Sequence, residues 1–325
     1  MTEPLLRRLH ARGESITVGA LPWVAPVYRC MPQVAQVIEF PFAHGGLQLK
    51  ARRQIAQQIA GQFDTAYVLP NSLKSALLPL LAGIPKRVGY LGEARVGLLT
   101  HRIKNPPKHH GKEGRPPMVA FYSALSGDTD VAGDRPRLQV NEADVVETLR
   151  TLDLQRGSYA IFVPGAEYGS AKRWPAAHFA ALAQQLDVPV LLLGSGKDVA
   201  LCDEIVALAP KQCTNWAGKT SLVQAITAQA ASKFIVTNDS GLMHVAAALD
   251  VPQVAIFGSS SPLHTPPLSA AAQVIWLKDD ATYQPALDCA PCFERECPLG
   301  HTRCLNDITP EIVLARIHAL PVRGQ

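Results

Sequence analysis

The residues best suited to chemistry in this chain are Asp239, Ser240, Gly241 and His244. They sit where the apolar run Phe234-Ile235-Val236 breaks into the turn-forming Asn238-Asp239-Ser240-Gly241. Beyond that turn, Met243, Ala246, Ala247 and Leu249 recur at helical spacing. A strand, a tight turn and a helix place the first free helical N–H groups at Ser240 and Gly241, and Gly241 has no Cβ to keep an anion away. His244 lies in the first helical turn, from which its side chain leans back toward the same space. Asp239 either caps the helix or accepts hydrogen bonds from ligand hydroxyls; a plain N-cap beside a partly buried surface histidine is the structural alternative.

A second set lies after the apolar run Tyr159 to Val163, in PGAEYGSAKRWP (164–175). Gly165 and Ala166 allow a backbone to approach a ligand closely, and Lys172-Arg173 place two cations just before a helix opened by Pro175. A Gly-Ser turn at Gly194-Ser195-Gly196 closes the run Val188 to Leu193 in the same way. Cations, helix N-termini and free N–H groups together are what a diphosphate needs. Neither a Walker A loop nor a complete GxGxxG fingerprint is present, so nucleotide hydrolysis and hydride transfer are not indicated.

The elements that must position these groups alternate strand with helix in both halves of the 325-residue chain. That pattern predicts an α/β protein of two Rossmann-like domains facing across a cleft, residues 1–135 and 136–325. The polar stretch Ser126 to Pro136 joins them, and the last helix, Pro310 to Leu320, is read as returning across the boundary. The chain opens on a helix, Pro4 to Arg12, with no strand before it. The crossover pattern then expects a first strand of the N-terminal domain that these residues do not supply.

Hydrophobic residues make up 47% and charged residues 18%, a globular balance. The longest apolar runs, such as Ser75 to Gly83, fall well short of the roughly 20 residues of a membrane span. The opening residues lack a signal peptide's apolar core, so a cytoplasmic chain is expected. Charge is uneven: residues 1–140 hold 18 Lys+Arg against 9 Asp+Glu, and residues 141–325 hold 13 against 18. The run His101 to Arg115 reads as a basic loop. The basic half predicts an acidic partner, which nucleic acid, an anionic membrane face or a phosphorylated substrate would each satisfy. No aromatic-interleaved platform or helix-turn-helix pattern accompanies it, so nucleic acid is not expected.

The segments PGAEYGSAKRWP, VTNDSGLMHVAAALDVPQVAIFGSSSP and YVLPNSLKSALLPLLAGIPKRVGY together resemble the family 9 glycosyltransferases, in particular their type II ADP-heptose:lipopolysaccharide heptosyltransferases. The resemblance implies a GT-B fold, with donor ADP-heptose on the C-terminal domain and inner-core lipopolysaccharide acceptor on the N-terminal one, at the cytoplasmic face of the inner membrane. It implies inverting heptose transfer that requires no cofactor. Carried over, Lys172 neutralises donor phosphate, Asp239, Ser240 and Gly241 hold the diphosphate-sugar, and His244 adds a polar contact. The family's general-base aspartate falls in the segment expected ahead of Met1, so no catalytic base is assigned; the alternative readings are a donor-binding chain without turnover, or a related glycosyltransferase with a different donor or acceptor. Acceptor-binding residues are not identified.

Four of the seven cysteines cluster at Cys289, Cys292, Cys297 and Cys304, with His301 among them. A C-x2-C pair with two further cysteines has metal-ligand character, and a reducing compartment favours structural zinc over disulfides. The following gaps of 4 and 6 residues depart from paired C-x2-C spacing, and reduced thiols packing a loop are the alternative. Cys30, Cys202 and Cys213 read as core residues.

Overall fold

The computed structural model describes residues 1–43, 45–105 and 116–322. They group as two compact units. One comprises residues 1–105 with 118–134, the other residues 116–117 with 135–322.

The N-terminal unit runs α1 (Glu3–Ala11), β1 (Ile16–Ala20), α2 (Ala25–Arg29), β2 (Val34–Glu39), α3 (Leu49–Ile59), β3 (Thr65–Val68), α4 (Leu73–Leu81), β4 (Lys86–Tyr90), β5 (His101–Ile103) and α5 (Met118–Ser123). All its strand pairs are parallel, in a two-stranded sheet β1-β2 and a three-stranded sheet β3-β4-β5. The first element is α1, which buries Leu5, Leu6 and Leu9 at helical spacing. The acidic stretch 126–134, read from sequence as a connection, is tied to that helix. Arg8 makes a two-pronged contact with Asp134, 2.8 Å at each oxygen, and a 3.0 Å contact with Asp128. Such fork-to-carboxylate pairing fixes orientation as well as charge.

The basic run was expected to be a loop throughout, and here the structure differs. Its first three residues form β5, paired with β4 from Val88↔His101 to Tyr90↔Ile103. An edge strand needs only one partner and tolerates exposed charges such as Arg102, which is why composition disguised it. Residues 106–115 of that run lie outside the described residues.

The second unit runs α6 (Glu142–Thr151), β6 (Ala160–Val163), α7 (Ala176–Ala183), β7 (Val190–Leu192), α8 (Val199–Leu208), β8 (Cys213–Asn215), α9 (Leu222–Ala231), β9 (Phe234–Asn238), α10 (Gly241–Ala248), β10 (Gln253–Ile256), β11 (Ala272–Ile275), α11 (Arg303–Asn306) and α12 (Pro310–His318). Its sheet is parallel throughout, in the order β11-β10-β9-β6-β7-β8. Both faces are covered, as parallel sheets require. Ala160, Phe162, Val236 and Ile256 point to one core, shared with Phe179, Ile205 and Val313 of α7, α8 and α12. Ile161, Val163, Leu191 and Ile235 point to the other, with Val145 of α6 and Ala225 and Ala228 of α9. Alternate residues thus feed opposite cores. The last helix, α12, packs on α7 and β10.

Trp174 anchors the first of these cores. Its ring is fully buried, meets Phe179 edge-on at 4.8 Å, and donates its indole N–H to the Ile308 carbonyl at 2.8 Å. Trp174→Ala is expected to lower stability by about 3–5 kcal/mol, read as a shift of the urea unfolding midpoint.

Candidate functional site

The second unit's sheet grows in two directions from β6. Strands β7 and β8 extend it one way, and the chain then returns to lay β9, β10 and β11 on the other side. The loops leaving β6 and β9 therefore emerge side by side at the carboxyl ends of these two paired strands, the switch point at which a parallel sheet has its crevice. Lys172, Asp239 and Ser240 lie on those loops, and Gly241 and His244 in the first turn of α10, the helix that follows the second of them.

They meet there. Lys172, in a short turn of 3-10 helix after β6, places Nζ 2.5 Å from Oδ2 of Asp239, which follows β9. The side chains are only 18% and 6% exposed, so the pair is held largely out of water. Thr265 donates its hydroxyl to the other carboxylate oxygen at 3.4 Å. The helix cap is Ser240, whose Oγ accepts from the Met243 N–H at 3.4 Å, so Asp239 is left to Lys172 and Thr265. A Cβ built on Gly241 would meet nothing within 4 Å, so the helix N-terminus faces open space beside a buried cation. His244 is half-buried on the same helix. Burial holds its imidazole below the ordinary 6.5 and the Lys172 ammonium pushes the same way, against the opposing pull of Asp239.

At two of the glycines expected to admit a ligand, the missing Cβ makes room for a side chain of the protein. A Cβ on Gly165 would fall 2.4 Å from the Asp198 carboxylate, and one on Gly194 would fall 2.8 Å from the Asp198 Cβ. The space belongs to Asp198, which accepts from the Ser195 N–H and hydroxyl, both at 2.8 Å, and fixes the turn after β7. Ala166 is buried beside Gly165. Asn238 was not singled out from sequence. It is fully buried, donates to the Pro164 carbonyl at 2.7 Å and accepts from the Trp174 N–H at 3.1 Å, stitching the two loops together. A polar amide at the end of an apolar strand was the available signal.

The cysteine segment supports the same loops. Ala171 N–H donates to Arg295 O at 3.0 Å, Ser259 N–H to Ala171 O at 3.3 Å, and Phe293 N–H to Ser259 O at 2.7 Å. Cys289, Cys292, Cys297 and Cys304 line one cavity of about 20 Å³ with Ser259 and His301. None forms a disulfide. Among the described residues no group of three or more His, Cys, Asp and Glu side chains is placed to hold a metal ion, so no step is assigned to zinc. Burial and the neighbouring thiols push Cys304 up to about 12. Burial also acts upward on Cys297, but N–H groups of Thr302, Leu299 and Gly300 outweigh it and leave that thiol below its ordinary value. Cys202 and Cys213 are core residues as expected; Cys30, at the end of α2, is only half-buried, because that helix is short and peripheral. A larger cavity, about 270 Å³, lies at the amino ends of β1 and β2, the end of a parallel sheet that does not ordinarily bind ligands.

The sequence model of glycosyltransferase family 9 (heptosyltransferase) matches residues 52–303. The chain belongs to glycosyltransferase family 9. Among its relatives, the lipopolysaccharide heptosyltransferase 2 of Escherichia coli is 43% identical over 98% of this chain and 94% of that protein. The lipooligosaccharide heptosyltransferase 2 of Haemophilus influenzae is 39% identical over 94% of this chain and 90% of that one. The solved structure of E. coli ADP-heptose lipopolysaccharide heptosyltransferase II superposes with a TM-score of 0.81 at 41% identity, covering 98% of this chain and 93% of that one. The fold is accordingly the GT-B class of paired Rossmann-like units, and this family 9 member is a glycosyltransferase.

Breaking the pair should show how much the crevice depends on it. Lys172→Ala and Asp239→Ala are each expected to cost about 3–5 kcal/mol in chemical unfolding, since each strands a buried charge. The double variant should cost less than their sum, because the two losses share one interaction. For His244 the folded form favours the neutral ring, so below pH 6.5 the unfolded chain binds more protons and stability falls with pH. Replacement by Asn is expected to flatten that part of the parent's stability profile, measured by thermal melts across the acid range.

Proposed function

We propose that this chain transfers heptose from ADP-heptose to a heptose of the lipopolysaccharide inner core, inverting the anomeric centre. The acceptor oxygen bonds to the sugar's C1 as the bond from C1 to the phosphate oxygen breaks. ADP leaves with the electron pair, and the proton of the acceptor hydroxyl passes to water, no side chain being assigned as its base. The observation that carries this reading is the half-buried Lys172 ammonium, held by buried Asp239, beside the open N-terminus of α10 at the sheet's switch point. An ammonium has three donors, so Lys172 can keep Asp239 and still meet phosphate oxygens. Together with the Ser240 and Gly241 amides it offsets the charge that develops on departing ADP, which is leaving-group stabilisation drawn from the chain itself. The relative similar over nearly the whole chain is named a lipopolysaccharide heptosyltransferase, and the solved structure an ADP-heptose lipopolysaccharide heptosyltransferase, which supports the reading.

An acceptor of this kind is anchored in lipid, and we place the enzyme in peripheral contact with an anionic bilayer. Among the described residues no helix is long and apolar enough to cross one. The reading is tested by titrating ADP-heptose calorimetrically and assaying transfer to a mono-heptosylated acceptor. Lys172→Ala is expected to lower kcat/KM by about 10²–10³-fold. Undiminished donor affinity in that variant, or equal use of an unrelated sugar nucleotide, would refute the assignment of the loops.

A further inference from the structure

We infer that the cysteine segment brings a second cation to the donor diphosphate: Arg295, held over the ring of Tyr168. Tyr168 and Lys172 lie on the loop after β6, and Arg295 lies on the segment that carries the four thiols. The Arg295 Cζ stands 5.0 Å from the centre of the Tyr168 ring, and the Lys172 Nζ stands 5.7 Å from the same centre. The two charges are therefore no farther apart than those distances laid end to end, a span that a diphosphate with a hydrogen bond at each end can bridge. Backbone fixes this placement. The Arg295 carbonyl accepts the Ala171 N–H at 3.0 Å, next to Lys172, and Gly169 lies so close to that carbonyl that no side chain would fit between them. Two residues before Arg295, the Phe293 N–H donates to the Ser259 carbonyl at 2.7 Å.

Those bonds set where residue 295 sits without calling for an arginine there. What the side chain adds is charge. Among the described residues no carboxylate pairs with it; Glu167, whose own titration registers the Arg295 charge, is already bonded to Lys197 at 2.6 Å. An exposed arginine without a carboxylate is ordinary when its side chain is unrestrained, but this one is drawn to an aromatic face. The ring attracts the charge without taking up N–H donors as an oxygen would, so the guanidinium fork is left to meet an anion. Lys172 differs in kind: its ammonium is a point charge already held by Asp239 at 2.5 Å. Arg295 can instead close on phosphate oxygens two at a time. The two cations then have separate tasks. Lys172 sits beside the N-terminus of α10, where charge on departing ADP gathers, while Arg295 grips the diphosphate before and during transfer alike.

The inference rests on the reading of an ADP-sugar donor, and its test separates the two. ADP is titrated calorimetrically into the full chain at low and high salt, and transfer from ADP-heptose is assayed alongside. Arg295→Gln is expected to weaken ADP binding about tenfold and to make it less sensitive to salt. The KM for ADP-heptose should rise by the same factor, with kcat and the KM for the acceptor changing far less, because the contact is made equally in ground and transition states. Arg295→Lys should recover only part of the loss, since an ammonium lacks the fork. Tyr168→Phe, which keeps the ring, should retain most of the affinity. Tyr168→Leu should lose most of what Arg295→Gln loses, and the double variant little more than either. The contacts made by the backbone of residue 295 survive its substitution, and unchanged melting temperatures would establish that the variants fold. Four results would overturn the inference: ADP bound by Arg295→Gln as tightly as by the parent, a loss confined to the KM for the acceptor, losses at 168 and 295 that simply add, or a melting temperature that falls with the affinity, which would make Arg295 a brace. If ADP binding responds as expected but no heptose is transferred, the second cation stands and the reading of the transferred sugar alone fails.

Discussion

The contact between Lys172 and Asp239 depends on a reversal of strand order, and most of the second unit can be understood as what that contact requires. A cation and a carboxylate withdrawn from water lose hydration that their mutual attraction only partly returns. Such a pair persists when the surrounding backbone leaves it no alternative. Here β6 and β9 are adjacent and parallel, so the loops that leave them emerge side by side, and Asn238 ties one to the other through Pro164 and Trp174. The gain is a cation already oriented before any anion arrives, which is the condition for electrostatic stabilisation without reorganisation.

Rigidity at the crevice comes from neighbouring segments. Asp198 occupies the space left by Gly165 and Gly194, coupling the turn after β7 to the loop after β6. The cysteine segment adds backbone hydrogen bonds through Ala171, Ser259 and Phe293, which brace the loop that bears Lys172. Gly169 is held so close to the Arg295 carbonyl that a Cβ would fall 2.2 Å from it, and its φ of +149° is one that other residues rarely adopt. The thiols line a cavity behind this brace with Ala171 and Ser259, so their packing bears on the loop that carries Lys172.

The two units spend their surfaces differently. The C-terminal sheet is covered on both faces and concentrates polar groups at its switch point. The N-terminal unit holds smaller sheets and an excess of cations. A soluble, highly charged donor and an amphiphilic acceptor pose those two different recognition problems.

The alternation of apolar runs with helical spacing determined the α/β class, because strand and helix periods are local properties of the chain. It also marked the Asp239 turn, since a strand end, Asn-Asp-Ser-Gly and a helix start are contiguous. Short edge strands left too little pattern to read: β8 has three residues and β11 four, and β5 was hidden in a basic run. Only the tertiary structure decided that Lys172 faces Asp239, 67 positions away, because periodicity identifies strands without saying which of them are neighbours. It likewise decided that Ser240 rather than Asp239 caps α10, and that the missing Cβ of Gly165 makes room for Asp198. Those outcomes depend on distances between segments, which no local spacing contains.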